Sequence, residues 1–130
     1  MAKENVNPHE DIMKGVQEQL KEVLEESKQA IYVYLDDHHI TYNQQFASLL
    51  GYKSIDELSK VKEPFVDAFV TEKTQETLIH AYKHAMEDKI PSDIEIFMKR
   101  KTGETVKVKV IMVPIAYNGE LLALHFVKKI

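Results

Sequence analysis

The last third of the chain, residues 94–127, constrains the fold more than any other segment. Apolar and polar residues alternate along it, and two turn signals interrupt it, at residues 101–104 and at Asn118-Gly119. Alternation with a period of two is typical of strands, and Asn-Gly is the strongest short hairpin signal. The apolar positions of the first two strands are Ile94, Ile96, Met98, Val106, Val108, Val110 and Met112. The segment therefore predicts three strands in an antiparallel meander.

The residues before this meander predict one more hairpin and four helices. The hairpin joins apolar and aromatic runs at residues 30–35 and 40–42, which favour strands. The helices are three short segments and a long one, at residues 44–50, 55–58, 64–69 and 71–88. This order predicts an α+β domain: a five-stranded antiparallel sheet with short helices and one long helix on one face.

An amphipathic helix is predicted ahead of the sheet, from about residue 8 to residue 27, with Asn7 as its N-cap. Its apolar stripe is Met13, Val16, Leu20 and Val23, which covers barely two heptads. Two interpretations stay open: the stripe packs on the chain's own sheet, or it forms a homodimer interface. Residues 1–28 are therefore predicted as a capping or dimerisation helix, and residues 29–130 as the main domain.

Composition excludes several classes of function. The 130 residues include no cysteine, which rules out disulfides, thiolate metal sites and cysteine nucleophiles. A net charge of −4 with dispersed Lys and Arg lacks the basic footprint of nucleic-acid-binding proteins. No apolar stretch approaches the roughly 20 residues that cross a membrane, and no signal-peptide core is present. We therefore expect a cytoplasmic protein that binds neither nucleic acid nor membrane.

Three short motifs share an order and spacing that point to a known family. Residues 43–52 read NQQFASLLGY, directly after the first hairpin; Lys101-Thr102-Gly103 forms the turn after the first meander strand; residues 113–115, Val-Pro-Ile, precede the last hairpin. With the order of elements, these motifs resemble the PAS family over residues 29–128. The resemblance implies a sheet that can enclose a small-molecule pocket, and an N-terminal helix that often mediates dimers.

The resemblance also implies a signalling partner, because PAS domains usually report to a kinase, a cyclase or a transcription module. The sequence ends at Ile130 with no effector segment. We therefore expect the chain to act in trans on a signalling protein, to act as a dimer, or to be a fragment of a longer protein.

A set of apolar residues is predicted to face the interior and to line a ligand pocket. The sheet contributes Ile31, Val33, Ile94, Ile96, Met98, Val108, Val110, Leu122, Leu124 and Phe126, and the helices contribute Phe46, Leu50, Phe65, Phe69, Leu78 and Tyr82. The same residues would also make an ordinary filled core, and this alternative stays open.

Metal and cofactor sites are not expected. The turn at residues 36–39, Asp-Asp-His-His, contains ligand types, but adjacent residues point apart. His80 and His84 lie four residues apart on a helix face that looks solvated. His125 is interpreted as a hydrogen-bonded residue of the last strand rather than a ligand anchor. The position of the haem-binding histidine of the PAS family falls near Gln75, and flavin adducts need a cysteine, so no cofactor is predicted.

The sequence predicts a non-enzymatic sensory PAS domain that self-associates and binds a small apolar or mixed ligand. No nucleophile with a base and no paired carboxylates stand in a catalytic signature. The alternatives are an interaction scaffold with a filled core and, less favoured, a small lyase or isomerase.

Overall fold

The structure, a computed structural model, describes residues 8–130. Its elements are α1 (Pro8–Gln19), α2 (Lys21–Glu26), β1 (Ala30–Asp36), β2 (His39–Tyr42), α3 (Gln44–Leu49), α4 (Ile55–Ser59), α5 (Phe65–Phe69), α6 (Glu72–Asp88), β3 (Ser92–Lys99), β4 (Thr105–Tyr117) and β5 (Glu120–Lys129). Within this range, no helix is both long enough and apolar enough to span a membrane.

The strands form one antiparallel sheet in the order β2-β1-β5-β4-β3. The first and last strands of the domain, β1 and β5, thus pair at its centre. Asn118 and Gly119 have positive φ angles of 47° and 82°, as a tight two-residue hairpin requires. The predicted α+β architecture is confirmed.

The inner face of the sheet carries the main hydrophobic core. Helices α3 to α6 cover this face, and their buried residues Phe46, Phe65, Phe69 and Leu78 pack in one cluster with the inner side chains of the strands. The strand residues buried in this cluster are Ala30, Tyr32, Ile96, Met98, Val106, Val108, Val110, Met112, Ala123 and Val127. Burial of this cluster supplies most of the hydrophobic stabilisation of the fold.

Asn43 joins the beginning of α3 to strand β1. Its side-chain oxygen accepts hydrogen bonds from the backbone N–H groups of Phe46 at 3.0 Å and Ile31 at 2.9 Å. Its side-chain amide donates to the carbonyl oxygen of Gln29 at 2.9 Å. Asn43 is therefore both the N-cap of α3 and a bridge between helix and sheet.

The outer face of the sheet is covered over its centre by α1. Ile12, Met13 and Val16 are buried in a second cluster with Val33, Leu35 and Leu122. The stripe of the N-terminal helix thus packs on the chain's own sheet at Met13 and Val16, which corrects the alternative that these two residues face a second copy. Leu20 is half-buried at the end of the same cluster, and Val23 is 47% exposed.

The N-terminal helix is interrupted, whereas the sequence predicted one continuous helix. Leu20, between α1 and α2, has a φ of −100° and a ψ of 6°. Helix α2 buries no residue, so the interruption falls where the contact with the sheet ends. The predicted N-cap, Asn7, lies outside the described residues.

Gly15 allows a close approach between α1 and the sheet. A Cβ atom at this position would lie 2.7 Å from Cζ of Tyr117, and closer still to its hydroxyl. Glycine inside a helix costs roughly 1 kcal/mol relative to alanine. The helix carries this cost at Gly15 because only a residue without a side chain leaves room for the Tyr117 ring against the helix backbone.

The predicted orientation of β1 and β5 was wrong. Tyr32 and His125 pair across these strands and belong to the inner face, so their neighbours in sequence point outward. Among the predicted pocket residues, five therefore lie on the outer face: Ile31, Val33, Leu122, Leu124 and Phe126. The physical reason is that α1 covers the outer face of these two strands, so both of their faces are apolar and hydrophobicity cannot distinguish them.

Candidate functional site

A cleft of about 290 Å³ opens on the inner side between the central strands, α5 and α6. We call it the aromatic cleft. Its walls are Tyr32, Tyr34, Asp37, Phe65, Val66, Leu78, Ile79, Tyr82, Lys83 and His125. The volume lies at the lower end of the range for small-molecule sites, and predominantly apolar walls with a few polar groups are typical of such sites.

The floor of the aromatic cleft is a stack of rings. Tyr32 and His125 lie face to face with 3.9 Å between ring centroids and 9° between planes. Phe65 stacks on Tyr32 at 4.6 Å, and Phe46 lies 4.9 Å from it in a tilted arrangement. Aromatic pairs prefer offset-stacked or edge-to-face arrangements, and the floor is built from several such pairs.

The hydroxyl group of Tyr32 is buried without a hydrogen-bond partner among residues 8–130. Tyr32 is only 1% exposed, and burial raises the pKa of its hydroxyl well above the ordinary value, so this group is a neutral donor. A buried polar group without a partner costs about 1–3 kcal/mol, and such groups are rare in native proteins.

His125 is a neutral ring on the inner face. Its Nδ1 lies 3.1 Å from the carbonyl oxygen of Ala123, which agrees with the prediction of a hydrogen-bonded strand residue. Burial lowers the pKa of His125 to about 3, so the ring carries no charge near neutral pH. The sequence did not predict that His125 would line a cleft.

The polar part of the cleft is organised by Asp37 from the β1–β2 turn. Its Oδ1 accepts a hydrogen bond from the Tyr34 hydroxyl at 3.1 Å and one from the backbone N–H of Phe65 at 3.2 Å. Tyr82 meets Tyr34 edge to face at 5.4 Å, and the exposed Lys83 stands at the rim. The rim thus offers both a carboxylate and an ammonium group.

The predicted pocket residues fall into three groups. Phe65, Leu78 and Tyr82 line the aromatic cleft, and their role in ligand binding stays a prediction. Eight others pack in or against the inner core and do not line it: Phe46, Leu50, Phe69, Ile94, Ile96, Met98, Val108 and Val110. The remaining five are the outward residues of β1 and β5 named above.

Sequence reasoning missed the apolar Val66 and Ile79, and also the polar or aromatic residues Tyr32, Tyr34, Asp37, Lys83 and His125. One signal was present in the sequence. Tyr32, Tyr34 and His125 are the only residues with polar side-chain atoms among the apolar runs 30–35 and 121–127, and a polar group inside a central strand needs a specific partner.

Histidine clusters elsewhere differ in their surroundings. His80 and His84 are exposed on α6, and His84 Nδ1 pairs with Asp88 at 2.8 Å. In the β1–β2 hairpin, by contrast, Asp36 and His39 face each other, and His9 of α1 joins them. Burial tends to raise the pKa of Asp36, but hydrogen bonds from His9 and His39 outweigh it and lower that pKa to about 2.

Such a sheet, with several helices on its inner face, is the α+β fold of solved PAS domains. The family profile of the PAS domain matches residues 28–127. The chain therefore belongs to the PAS domain family. No curated protein is significantly similar in sequence to the chain.

Solved structures share the fold at low sequence identity. The PAS domain of an HTR-like protein from Haloarcula marismortui is 22% identical with a TM-score of 0.63, over 93% of this chain and 97% of that one. The PAS domain of a Colwellia psychrerythraea protein is 21% identical with a TM-score of 0.69, over 88% and 97%. A sensory box histidine kinase/response regulator from Burkholderia thailandensis is 12% identical with a TM-score of 0.63, over 88% and 84%.

Proposed function

We propose that this PAS domain is a non-enzymatic sensor that binds a small, partly apolar molecule in the aromatic cleft. The observation that carries the proposal is the buried Tyr32 hydroxyl, which has no partner among residues 8–130 and belongs to a residue that lines an aromatic-walled cavity. A ligand with one hydrogen-bond acceptor would satisfy this hydroxyl and recover the cost of its burial.

The chemistry of the walls defines the ligand class. Phe65, Leu78 and Tyr82 favour an apolar body, while Tyr32 supplies one directed donor. At about 290 Å³, the cavity suits a small molecule rather than a large chromophore. Asp37 and Lys83 at the rim carry opposite charges, so the rim does not select a strongly charged ligand.

The sensing mechanism follows from the position of Tyr32 in β1. The adjacent residue, Val33, points to the opposite face and packs under Met13 and Val16 of α1. A ligand that binds one arrangement of Tyr32 better than another shifts the population of that arrangement. Helix α1, which rests on the same strand, then reports the change.

The first test is native mass spectrometry of freshly purified protein, with the denatured mass as reference. The wild type is expected to retain extra mass, and Tyr32→Phe to retain less of it. Tyr42→Phe is the matched control, because Tyr42 also packs against Phe46 but does not line the cleft. A wild-type protein without added mass would favour the interaction scaffold with a filled core.

The unfolding free energy separates a ligand site from an ordinary core. In the ligand-free state, Tyr32→Phe removes a buried hydroxyl without a partner, so we expect it to stabilise the fold by about 1 kcal/mol. A loss of stability in ligand-free Tyr32→Phe would mean that the hydroxyl is already satisfied, and the ligand proposal would fail.

Self-association is a second part of the proposal, favoured by apolar residues on the outer side. Val23 of α2, Phe97 of β3 and Ile111 of β4 are 47%, 41% and 39% exposed. A second copy of the chain would cover the exposed Val23 and the half-buried Leu20 beside it. Met13 and Val16 would then act indirectly, by holding α1 on the sheet.

Light scattering on a sizing column tests the dimer. Val23→Glu is expected to convert a dimer into a folded monomer, because it places a charge in an apolar contact. Lys21→Glu introduces the same residue at an exposed neighbouring position and should leave the dimer intact. A wild-type monomer would contradict the proposal.

The proposal includes a cytoplasmic location and a signalling protein that the domain contacts in trans. Its support is the sensory family and the kinase neighbour named above. Cell fractionation followed by cross-linking tests both parts, and recovery of the protein in the membrane fraction would contradict the location.

A further inference from the structure

Three potential metal ligands from separate elements meet at one corner of the outer side. His9 lies in the first turn of α1, Asp36 is the last residue of β1 and His39 is the first residue of β2. One ligand atom from each of the three lies within 4.8 Å of the others. We call this group the His–Asp–His cluster.

The Asp36 carboxylate is the centre of the cluster. Its Oδ2 lies 2.6 Å from Nδ1 of His9 and 3.0 Å from Nδ1 of His39, and its Oδ1 lies 2.8 Å from the same atom of His39. The two imidazole rings meet edge to face, with 5.9 Å between centroids. Both rings thus present the same nitrogen, Nδ1, to one carboxylate.

The fold holds this arrangement in place by backbone geometry. A register shift between Tyr34 and Asp36 in the β1–β2 pairing sets Asp36 opposite His39, and residues directly opposite each other in an antiparallel pair lie on the same face. The backbone N–H of His38 donates to Asp36 Oδ1 at 2.8 Å and fixes the carboxylate. The burial of Met13 one turn further along α1 keeps His9 over the hairpin.

We propose that the His–Asp–His cluster is a binding site for a divalent transition-metal ion of the Zn²⁺ class, and that the ion fastens α1 to the β1–β2 hairpin. The ligands would be Nδ1 of His9, Nδ1 of His39 and a carboxylate oxygen of Asp36. Two imidazoles and one carboxylate, with a further position open to water, form a known ligand set for zinc. The proposal does not depend on a ligand in the aromatic cleft.

The distances require only a small opening. Zinc–nitrogen and zinc–oxygen bonds of about 2.0–2.2 Å in a tetrahedral site separate the ligand atoms by about 3.4 Å. The observed separations of 2.6 and 2.8 Å between Asp36 and the two imidazoles are hydrogen-bond lengths, so each imidazole nitrogen would have to move less than about 1 Å away from the carboxylate to reach the separation of a zinc site. The side chains of His9 and Asp36 are 38% and 34% exposed, which leaves a path for entry.

Glu120 supplies the outer contact that histidine ligands usually have. Its Oε1 lies 3.5 Å from Nε2 of His9, the ring nitrogen that faces away from Asp36. A histidine bound to a metal through one nitrogen commonly donates its other N–H to a carboxylate, which orients the ring. The first residue of β5 therefore takes part in the same site.

The ion would connect parts of the chain that are distant in sequence. His9 and Asp36 are 27 residues apart, and the ion would add to the contacts that α1 already makes with the sheet through its apolar stripe and through Gln17. Asp37, the residue after Asp36, binds Tyr34 and the backbone of Phe65 at the cleft. Metal binding would thus be a second signal for the domain, beside the small molecule, and its site lies one residue away in sequence from the cleft residue Asp37.

The test is titration of the chelator-treated full chain with Zn²⁺ alone, followed by calorimetry. One ion per chain is expected, together with a rise in the melting temperature. His9→Gln and His39→Gln should each weaken binding at least about tenfold. His38→Gln is the matched control, because His38 belongs to the same turn but is not in the cluster, and it should bind zinc like the wild type.

Two further measurements keep the outcome clear. The amide spectrum of each variant shows whether it is folded, and ¹⁵N spectra of the imidazoles should show zinc-dependent shifts at Nδ1 of His9 and His39. The proposal is overturned if the folded wild type does not bind zinc, if His38→Gln weakens binding as much as His9→Gln, or if the shifts appear at His84.

Discussion

The two faces of the central strands are both buried, yet they differ in kind. On their inner side, β1 and β5 present the rings and polar atoms of Tyr32 and His125, which line the aromatic cleft. The outer side presents aliphatic residues, such as Val33 and Leu122, under α1. The difference shows that burial alone does not identify a site; a polar group that lacks a partner inside an apolar wall is the more specific sign.

The largest effect is expected from a change that breaks the inner face. Phe46→Ala should destabilise the fold by about 3–5 kcal/mol, because it removes a fully buried ring and leaves a cavity. Urea unfolding measures the loss. Phe97→Ala, on the outer side of β3 and 41% exposed, should cost about 0.5 kcal/mol or less, and equal losses would contradict the assignment of the core to the inner face.

The stability of the fold should decrease in acid because of His125, which lies on the inner face. An unfolded imidazole binds a proton below about pH 6.5, whereas burial lowers the pKa of His125 in the folded protein to about 3. Between these values the unfolded chain binds more protons, so stability falls as the pH falls, by up to about 1.4 kcal/mol per pH unit. The contribution of neutral His125 is complete above pH 6.5.

The variant His125→Phe keeps a ring beside Tyr32 and removes this titration. Urea unfolding at several pH values should show that the wild type loses stability more steeply than the variant below about pH 6.5. Equal slopes for the two proteins would mean that His125 is accessible to protons in the folded state.

The outer face is tested by Gly15→Ala. Alanine favours the helix by roughly 1 kcal/mol, but the new Cβ would overlap the ring of Tyr117, so we expect a net loss of about 1–3 kcal/mol. Urea unfolding of Gly15→Ala in a Tyr117→Leu background is the comparison. There the same substitution should be neutral or stabilising, and a loss in both backgrounds would place the cause elsewhere.

A smaller effect than that of Gly15→Ala is expected at the edge of the outer face. Thr41 Oγ1 accepts a hydrogen bond from Gln17 Nε2 at 2.8 Å and lies 2.9 Å from Met13 Sδ. Thr41→Val keeps the shape and removes these contacts, so a loss of about 1 kcal/mol is expected. Hydrogen exchange of α1 amides should rise in this variant, and unchanged exchange would show that Thr41 does not help to hold the helix.

The sequence predicted the fold because its local signals agreed. Alternation in β3 and β4 was read with the correct orientation, since charged residues such as Glu95, Lys107 and Lys109 mark their exposed outer side. In β1 and β5 no such marker exists, because α1 covers the outer side. Orientation there depends on a helix far away in sequence, which a local pattern cannot report.

The candidate site was predicted only in part for a related reason. Phe65, Leu78 and Tyr82 follow from helix periodicity, which places them toward the sheet. Tyr32 and His125 meet only when β1 and β5 pair. The His–Asp–His cluster likewise needs both the register shift in the hairpin and the docking of α1, neither of which the sequence pattern contains.

The three hydrogen bonds of Asn43 explain what a motif-based classification can and cannot say about this protein. They fasten α3 to β1, and Phe46 and Leu50 of the same segment are fully buried. None of residues 43–52, all of which the structure describes, lines the aromatic cleft. The motif at residues 43–52 therefore specifies the scaffold of the domain and not the lining of its cleft. Two proteins can share this motif and respond to unrelated stimuli.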